Sequence, residues 1–113
     1  MILNAILVTN GSLQVENVVS QILAWRKSGS KQPMCSGRSE AKSITMQSLH
    51  YKKQSHKIYF DNMSDILSID EANKCVRVEP CITIGNLNDF LIQRGWMLPI
   101  VPELDDLTIG GVF

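Results

Sequence analysis

The stretch CVRVEPCITIGNLNDFLIQRG, Cys75 to Gly95, contains the change of period that decides the fold. Val76 and Val78 alternate with Arg77 and Glu79, the two-residue repeat of a half-buried strand. Pro80 ends that strand because it has no amide to give to a ladder. Beyond it Ile84, Leu87, Phe90 and Leu91 recur at three- and four-residue spacing, which predicts a helix from about Ile84 to Arg94. Gly95 stands where a helix C-terminus favours glycine.

Upstream, HKIYFDN (His56 to Asn62) reads as a second strand, and Asp70 to Lys74 would reverse the chain into CVRVEP. Met63, Ile66, Leu67 and Ile69 read as a short apolar turn between the two. Val15, Val18, Val19, Ile22 and Leu23 predict a first helix from about Leu13 to Lys27, opened by Asn10 to Ser12 and closed by Ser28-Gly29-Ser30. Pro33 to Cys35 is a short edge strand that feeds a polar loop with Gly37, Arg38 and Lys42. Downstream, WMLPIVPELDDL runs extended and is interrupted by Pro99 and Pro102. The alternation of helices and strands is of the α+β kind, a small sheet flanked by helices, and no internal repeat is found.

At 113 residues the chain is one domain or part of one. Hydrophobic residues at 44% and charged residues at 19% place it among folded rather than disordered chains. Lys+Arg and Asp+Glu balance at 11 each, so charge offers no case for a nucleic-acid partner. Cys35, Cys75 and Cys81 are odd in number and lack Cys-x-x-Cys spacing; they suit a reducing compartment and are expected to pack as small apolar side chains. The apolar MILNAILVT is much shorter than the roughly 20 residues that cross a bilayer, so no membrane anchor is expected in this chain.

Two polar loops could carry chemistry. In DLTIGG, Leu107 to Gly111 with Asp106 before them, Thr108 is a good N-cap. Gly110 and Gly111 would then lie in a first helical turn whose unpaired N–H groups suit an anion, although a bland loop has the same composition. In CSGRSEAKS, Arg38 offers charge, Ser36 and Ser39 offer hydroxyls and Gly37 permits a tight turn; a solvated loop would look alike. The run HYKKQSHK, with Lys52, Lys53, Lys57, His50 and His56, reads as a solvated basic turn without a chemical role. Glu103, Asp105 and Asp106 lack the oxygen spacing of a calcium loop, and no metal site is expected. Trp25 and Trp96 read as packing residues.

Taken together, VRVEPCITIGNL and RGWMLPIVPELDDLTIGG resemble the flavin-binding domain of the FAD-dependent sterol side-chain reductases, a group within the vanillyl-alcohol-oxidase (PCMH) type of flavoprotein. The upstream run from WRKSGSKQPMCSGR to the Tyr-Lys-Lys turn is similar to the same group. The Glu-Leu-Asp-Asp of PELDDLTIGG is its most specific element, being unusual in other PCMH-type proteins. The resemblance implies a fold of two α+β subdomains with FAD stretched between them. It makes residues 13–113 the first subdomain of that domain, cut within its phosphate cradle, and leaves residues 1–12 as a segment outside the family. Ser36, Gly37, Arg38 and Ser39 would form the first phosphate loop, and Leu107, Thr108, Ile109, Gly110 and Gly111 the start of the second. Glu79 and Pro80 would lie near the adenosine side. The implied activity is NADPH-dependent reduction of the sterol C24–C25 double bond at the endoplasmic reticulum membrane. No catalytic residue is found here, and the stretch alone is expected to be inactive. Many PCMH-type proteins carry a flavin-bonding histidine in the first loop, whereas CSGRSEAK has none, so FAD is expected to be dissociable. The first loop also departs from the group's Arg-Pro-Gly-Trp pattern at Arg38-Ser39-Glu40-Ala41. Two other readings stay open: part of a different PCMH-type oxidase or synthase, and a non-catalytic interaction fragment.

Overall fold

A computed structural model describes residues 1–8, 12–38 and 50–112. The elements run β1 (Ala5–Val8), α1 (Ser12–Lys27), β2 (Met34–Ser36), α2 (His50–Lys53), β3 (His56–Ile58), β4 (Ile66–Asp70), β5 (Cys75–Val78), α3 (Ile84–Ile92) and α4 (Ile109–Val112). The class is α+β, as expected. The chain divides into two compact units, one of Met1–Gly11 with Asn62–Phe113 and the other of Ser12–Asp61.

In the first unit β5 is the central strand of a three-stranded sheet ordered β1-β5-β4. Its two-residue alternation holds at Val76 and Val78, fully buried, and at exposed Arg77, but fails at Glu79, which is fully buried just past the strand. Ile84, Leu87 and Leu91 of α3 join them in a core with Leu3, Ile82, Trp96, Leu98 and Ile109. The Thr83 hydroxyl caps α3 by accepting from the Asn86 N–H at 3.2 Å. At the other end of α3, Gly95 takes φ +78°, the left-handed region in which a side chain would be strained.

The apolar turn expected at residues 63–69 is instead strand β4, antiparallel to β5. The reason it hides in the sequence is a register shift between Ile66 and Ser68. Ile66 and Ile69 are three apart and would face opposite sides of a regular strand, yet both pack on the core because the irregularity at Leu67 turns one of them over. Past β5 the pairing continues through Glu79 N–H to Asp65 O at 2.9 Å and Cys81 N–H to Met63 O at 2.8 Å.

Residues 1–8 are built into this unit. β1 pairs parallel to β5 from Ala5↔Cys75 to Val8↔Val78, and Leu3 is 2% exposed within the core. Leu3 N–H donates to Met97 O at 2.9 Å, and Met97 N–H donates to Met1 O at 2.7 Å. Structurally the N-terminal segment therefore shares a core with Asn62–Phe113, whatever its relation to the family pattern.

The second unit holds α1 and a two-stranded parallel sheet of β2 and β3, with Met34↔His56 and Ser36↔Ile58 in register. α1 covers the predicted span with one residue added at its start. It is tied to the residue after β3 by Gln21, whose side-chain nitrogen donates to Tyr59 O at 2.6 Å and whose oxygen accepts from Tyr59 N–H at 2.7 Å. Trp25 Nε1 donates to Gln32 O at 2.7 Å, so this tryptophan fastens the turn that leaves the helix. Among the described residues no helix is long and apolar enough to cross a membrane.

Leu3→Ala should cost about 2–5 kcal/mol of unfolding free energy, the range for emptying a leucine site in a packed core. A urea titration checks this, and a loss within error would mean that the segment is an appendage. The β4–β5 turn adds a pH test. The side-chain amide of Asn73 and then its backbone N–H donate to Asp70 and hold its carboxyl below its ordinary value near 3.8. Because the folded value is the lower one, the stabilisation is present above the unfolded pKa and lost as pH falls through the folded pKa. Asp70→Ala should therefore shallow the fall of the urea midpoint between about pH 5 and about pH 2 and leave the neutral-pH slope unchanged.

Candidate functional site

Within the first unit, the predicted site residues Glu79, Pro80 and Leu107 to Gly111 come together at one place. Two Thr-Ile-Gly triplets, Thr83-Ile84-Gly85 and Thr108-Ile109-Gly110, meet there as an antiparallel bridge between Thr83 and Thr108. Ile84 N–H donates to Leu107 O at 2.8 Å, and Ile109 N–H donates to Ile82 O at 2.9 Å. Each isoleucine is fully buried, and each begins a helix, α3 in one case and α4 in the other. The triplets thus form a small local pair that sequence inspection passes over, since three residues are too few to register as a repeat.

This pairing corrects the expectation of unpaired amides at Thr-Ile-Gly-Gly. Besides Ile109, Gly110 N–H donates to Pro80 O at 2.7 Å and Gly111 N–H donates to Thr108 O at 3.0 Å. A donor already given to a carbonyl is not free to receive a phosphate oxygen. Gly110 is required by proximity: a Cβ there would stand 2.7 Å from Pro80 Cβ and 2.9 Å from Pro80 O. The glycine lets α4 lie directly on the Glu79–Pro80 corner.

That corner is itself held. Glu79 is fully buried, and its Oε2 accepts from Asp65 N–H at 2.9 Å. The carboxylates of Glu103, Asp105 and Asp106 lie on exposed residues. It is the main-chain oxygens of Asp105 and Leu107 that serve the first turn of α3, with Gly85 N–H donating to Asp105 O at 3.0 Å. Among the described residues no three His, Cys, Asp or Glu side chains gather as metal ligands. Cys35, Cys75 and Cys81 form no disulfide and are half-buried, less enclosed than the apolar packing role implies.

The other predicted loop, Ser36 to Ser39, belongs to the second unit; Ser39 lies outside the described residues. Gly37 N–H donates to Ile58 O at 2.7 Å, which extends the β2–β3 ladder by one step. The ring of Tyr59 lies against Gly37, where a Cβ would fall 2.9 Å from Tyr59 Cγ and nearer still to Cδ1 and Cε1. The reading of HYKKQSHK as a solvated turn fails at one residue. Lys52 is 7% exposed, and its Nζ donates to Arg38 O at 2.9 Å and reaches Ser36 Oγ at 3.4 Å. No periodicity marked it, because a four-residue helix such as α2 is too short to show one. Gly37 thus continues the strand instead of making the expected tight turn, and the loop offers a hydroxyl and two cationic side chains, which is chemistry suited to an anion.

Comparison with known proteins places the chain in a class. Residues 15–113 match the family model of the FAD binding domain, and the chain belongs to that family. Its relatives include the Delta(24)-sterol reductase of Homo sapiens, 41% identical over 99 residues, and a homolog of that reductase from Caenorhabditis elegans, 36% identical over the same length. Both alignments cover 88% of this chain and 19% of the relative. The Delta(24)-sterol reductase of Pisum sativum is 31% identical over 80 residues, 70% of this chain and 14% of that protein. The chain thus spans about a fifth of the length of the first relatives it matches. No solved structure matches it.

Gly110→Ala tests the paired-triplet geometry. The added methyl meets the rigid Pro80 Cβ and the Pro80 backbone rather than a movable side-chain tip, so a loss of about 1–3 kcal/mol is expected by urea titration. A change within error would show that α4 does not rest on Pro80.

Proposed function

We propose that this chain is the FAD-binding portion of an NADPH-dependent reductase of the sterol side-chain C24–C25 double bond. The observation that carries the proposal is the coincidence of an FAD binding domain match over residues 15–113 with identity of up to 41% to Delta(24)-sterol reductases. Ser36 to Ser39 form the loop that meets the cofactor's phosphates through side-chain charge and hydroxyls. Glu79, Pro80 and Leu107 to Gly111 contribute by packing beside the cofactor, because their amides at Ile109, Gly110 and Gly111 are already committed. When bound, the flavin supplies the hydride-accepting and hydride-donating centre. This chain contributes positioning and no proton donor, and by itself it turns over no sterol.

The cofactor is dissociable, since CSGRSEAK has no histidine to bond it. The parent enzyme works at the endoplasmic reticulum membrane, with NADPH as reductant and a sterol as substrate, and the whole of that activity needs residues beyond those of this chain. A non-catalytic interaction fragment is the competing reading, and the internal use of the Thr-Ile-Gly-Gly amides is what favours it.

Titration of the purified chain with FAD separates the two. Quenching of flavin fluorescence to a saturable end point, with all the flavin released into the supernatant on acid denaturation, is the expected result. Folded protein that stays indifferent to added FAD supports the interaction fragment, and flavin retained on the denatured chain overturns the dissociable cofactor.

A further inference from the structure

Among the described residues of its unit, Lys52 alone combines burial with charge. Its neighbours in the basic run, Lys53 and Lys57, are exposed, whereas Lys52 is 7% exposed and turns its ammonium onto the 36–38 loop. The two acceptors, Arg38 O at 2.9 Å and Ser36 Oγ at 3.4 Å, are neutral oxygens on either side of Gly37. Among the described residues these are its partners, and none of them is a carboxylate. Burying a cation against neutral groups is costly, and such a site is retained where the charge serves something that arrives.

We infer that Lys52 is the positioning residue of the phosphate loop: its ammonium bridges Ser36 and Arg38 across Gly37, fixes the backbone there, and supplies the positive charge against which a diphosphate settles. The inference rests on the FAD reading above and adds to it a residue that the loop's own sequence does not contain. Ser36 gains a donor that leaves its own hydroxyl proton free to point at an anion. Arg38 has its main chain held while its side chain is not what Lys52 grips. The backbone of residues 36–38 is thereby held from one side by a side chain and from the other by the Gly37 N–H bond to Ile58 O.

The test compares FAD with riboflavin, which shares the ring system and lacks phosphate. Lys52→Met keeps the apolar stem and removes the ammonium; Lys53→Met removes an equal charge from the exposed side of the same helix. Lys52→Met should weaken FAD binding roughly 10- to 100-fold, the effect of one charge-assisted hydrogen bond, and leave riboflavin binding unchanged. Lys53→Met should bind FAD within about twofold of the parent chain, and Lys52→Arg should recover most of the lost affinity. Circular dichroism establishes that each variant is folded; should Lys52→Met not fold, Lys52→Gln, which keeps two donors and drops the charge, carries the comparison. Equal FAD binding by the neutral Lys52 variant and the parent chain, or equal loss toward FAD and riboflavin, overturns the inference and leaves the FAD reading standing. A parent chain that binds neither flavin overturns both.

Discussion

The reciprocal bridge between Thr83 and Thr108 is the constraint on which the rest of the larger unit depends. Its two hydrogen bonds, Ile84 N–H to Leu107 O and Ile109 N–H to Ile82 O, start α3 and α4 at the same point and drive both isoleucines into one core. Helix starts leave amides without intrahelical partners, and here the facing loop supplies the carbonyls. Each triplet's isoleucine amide is thereby taken up by the residue just before the other triplet. The polar PELDDL segment is held close to α3 by its own backbone, and its carboxylates remain on exposed residues.

That economy has a functional consequence. A Gly-Gly turn at the start of a helix suggests bare amides aimed at a phosphate, but the amides of Ile109, Gly110 and Gly111 go to Ile82, Pro80 and Thr108. Membership of the FAD binding domain family stands on the match over residues 15–113 and does not need those amides. What changes is the division of labour. Side-chain charge at the 36–38 loop is the better candidate for holding phosphate, and Gly110 serves close packing against Pro80.

Much of the fold was legible because its periods are clean. Val76 and Val78 declared β5, Ile84, Leu87 and Leu91 declared α3, and Gly95 marked where α3 ends. β4 was misread because the irregularity at Leu67 breaks the two-residue period that identifies a strand. β1 was missed because a short apolar run at the start of a chain gives no pattern by which to choose a partner, and its pairing with β5 spans about seventy residues of sequence. At the candidate site the Ser36–Arg38 and Thr108–Gly111 stretches stood out by residue type, whereas Lys52 did not. Burial of a lysine is decided by tertiary packing, and a basic run is a solvated face far more often than a hidden ammonium.

Amide hydrogen exchange at Ile109 and Gly110, measured with and without FAD, tests most directly whether the glycine turn is an internal anchor or a phosphate cradle. If the Thr83–Thr108 bridge holds, both amides exchange slowly in the chain alone and added FAD leaves their rates unchanged. Rapid exchange in the chain alone, with protection appearing only when FAD is bound, would contradict the assignment and return the diphosphate to the Thr-Ile-Gly-Gly turn.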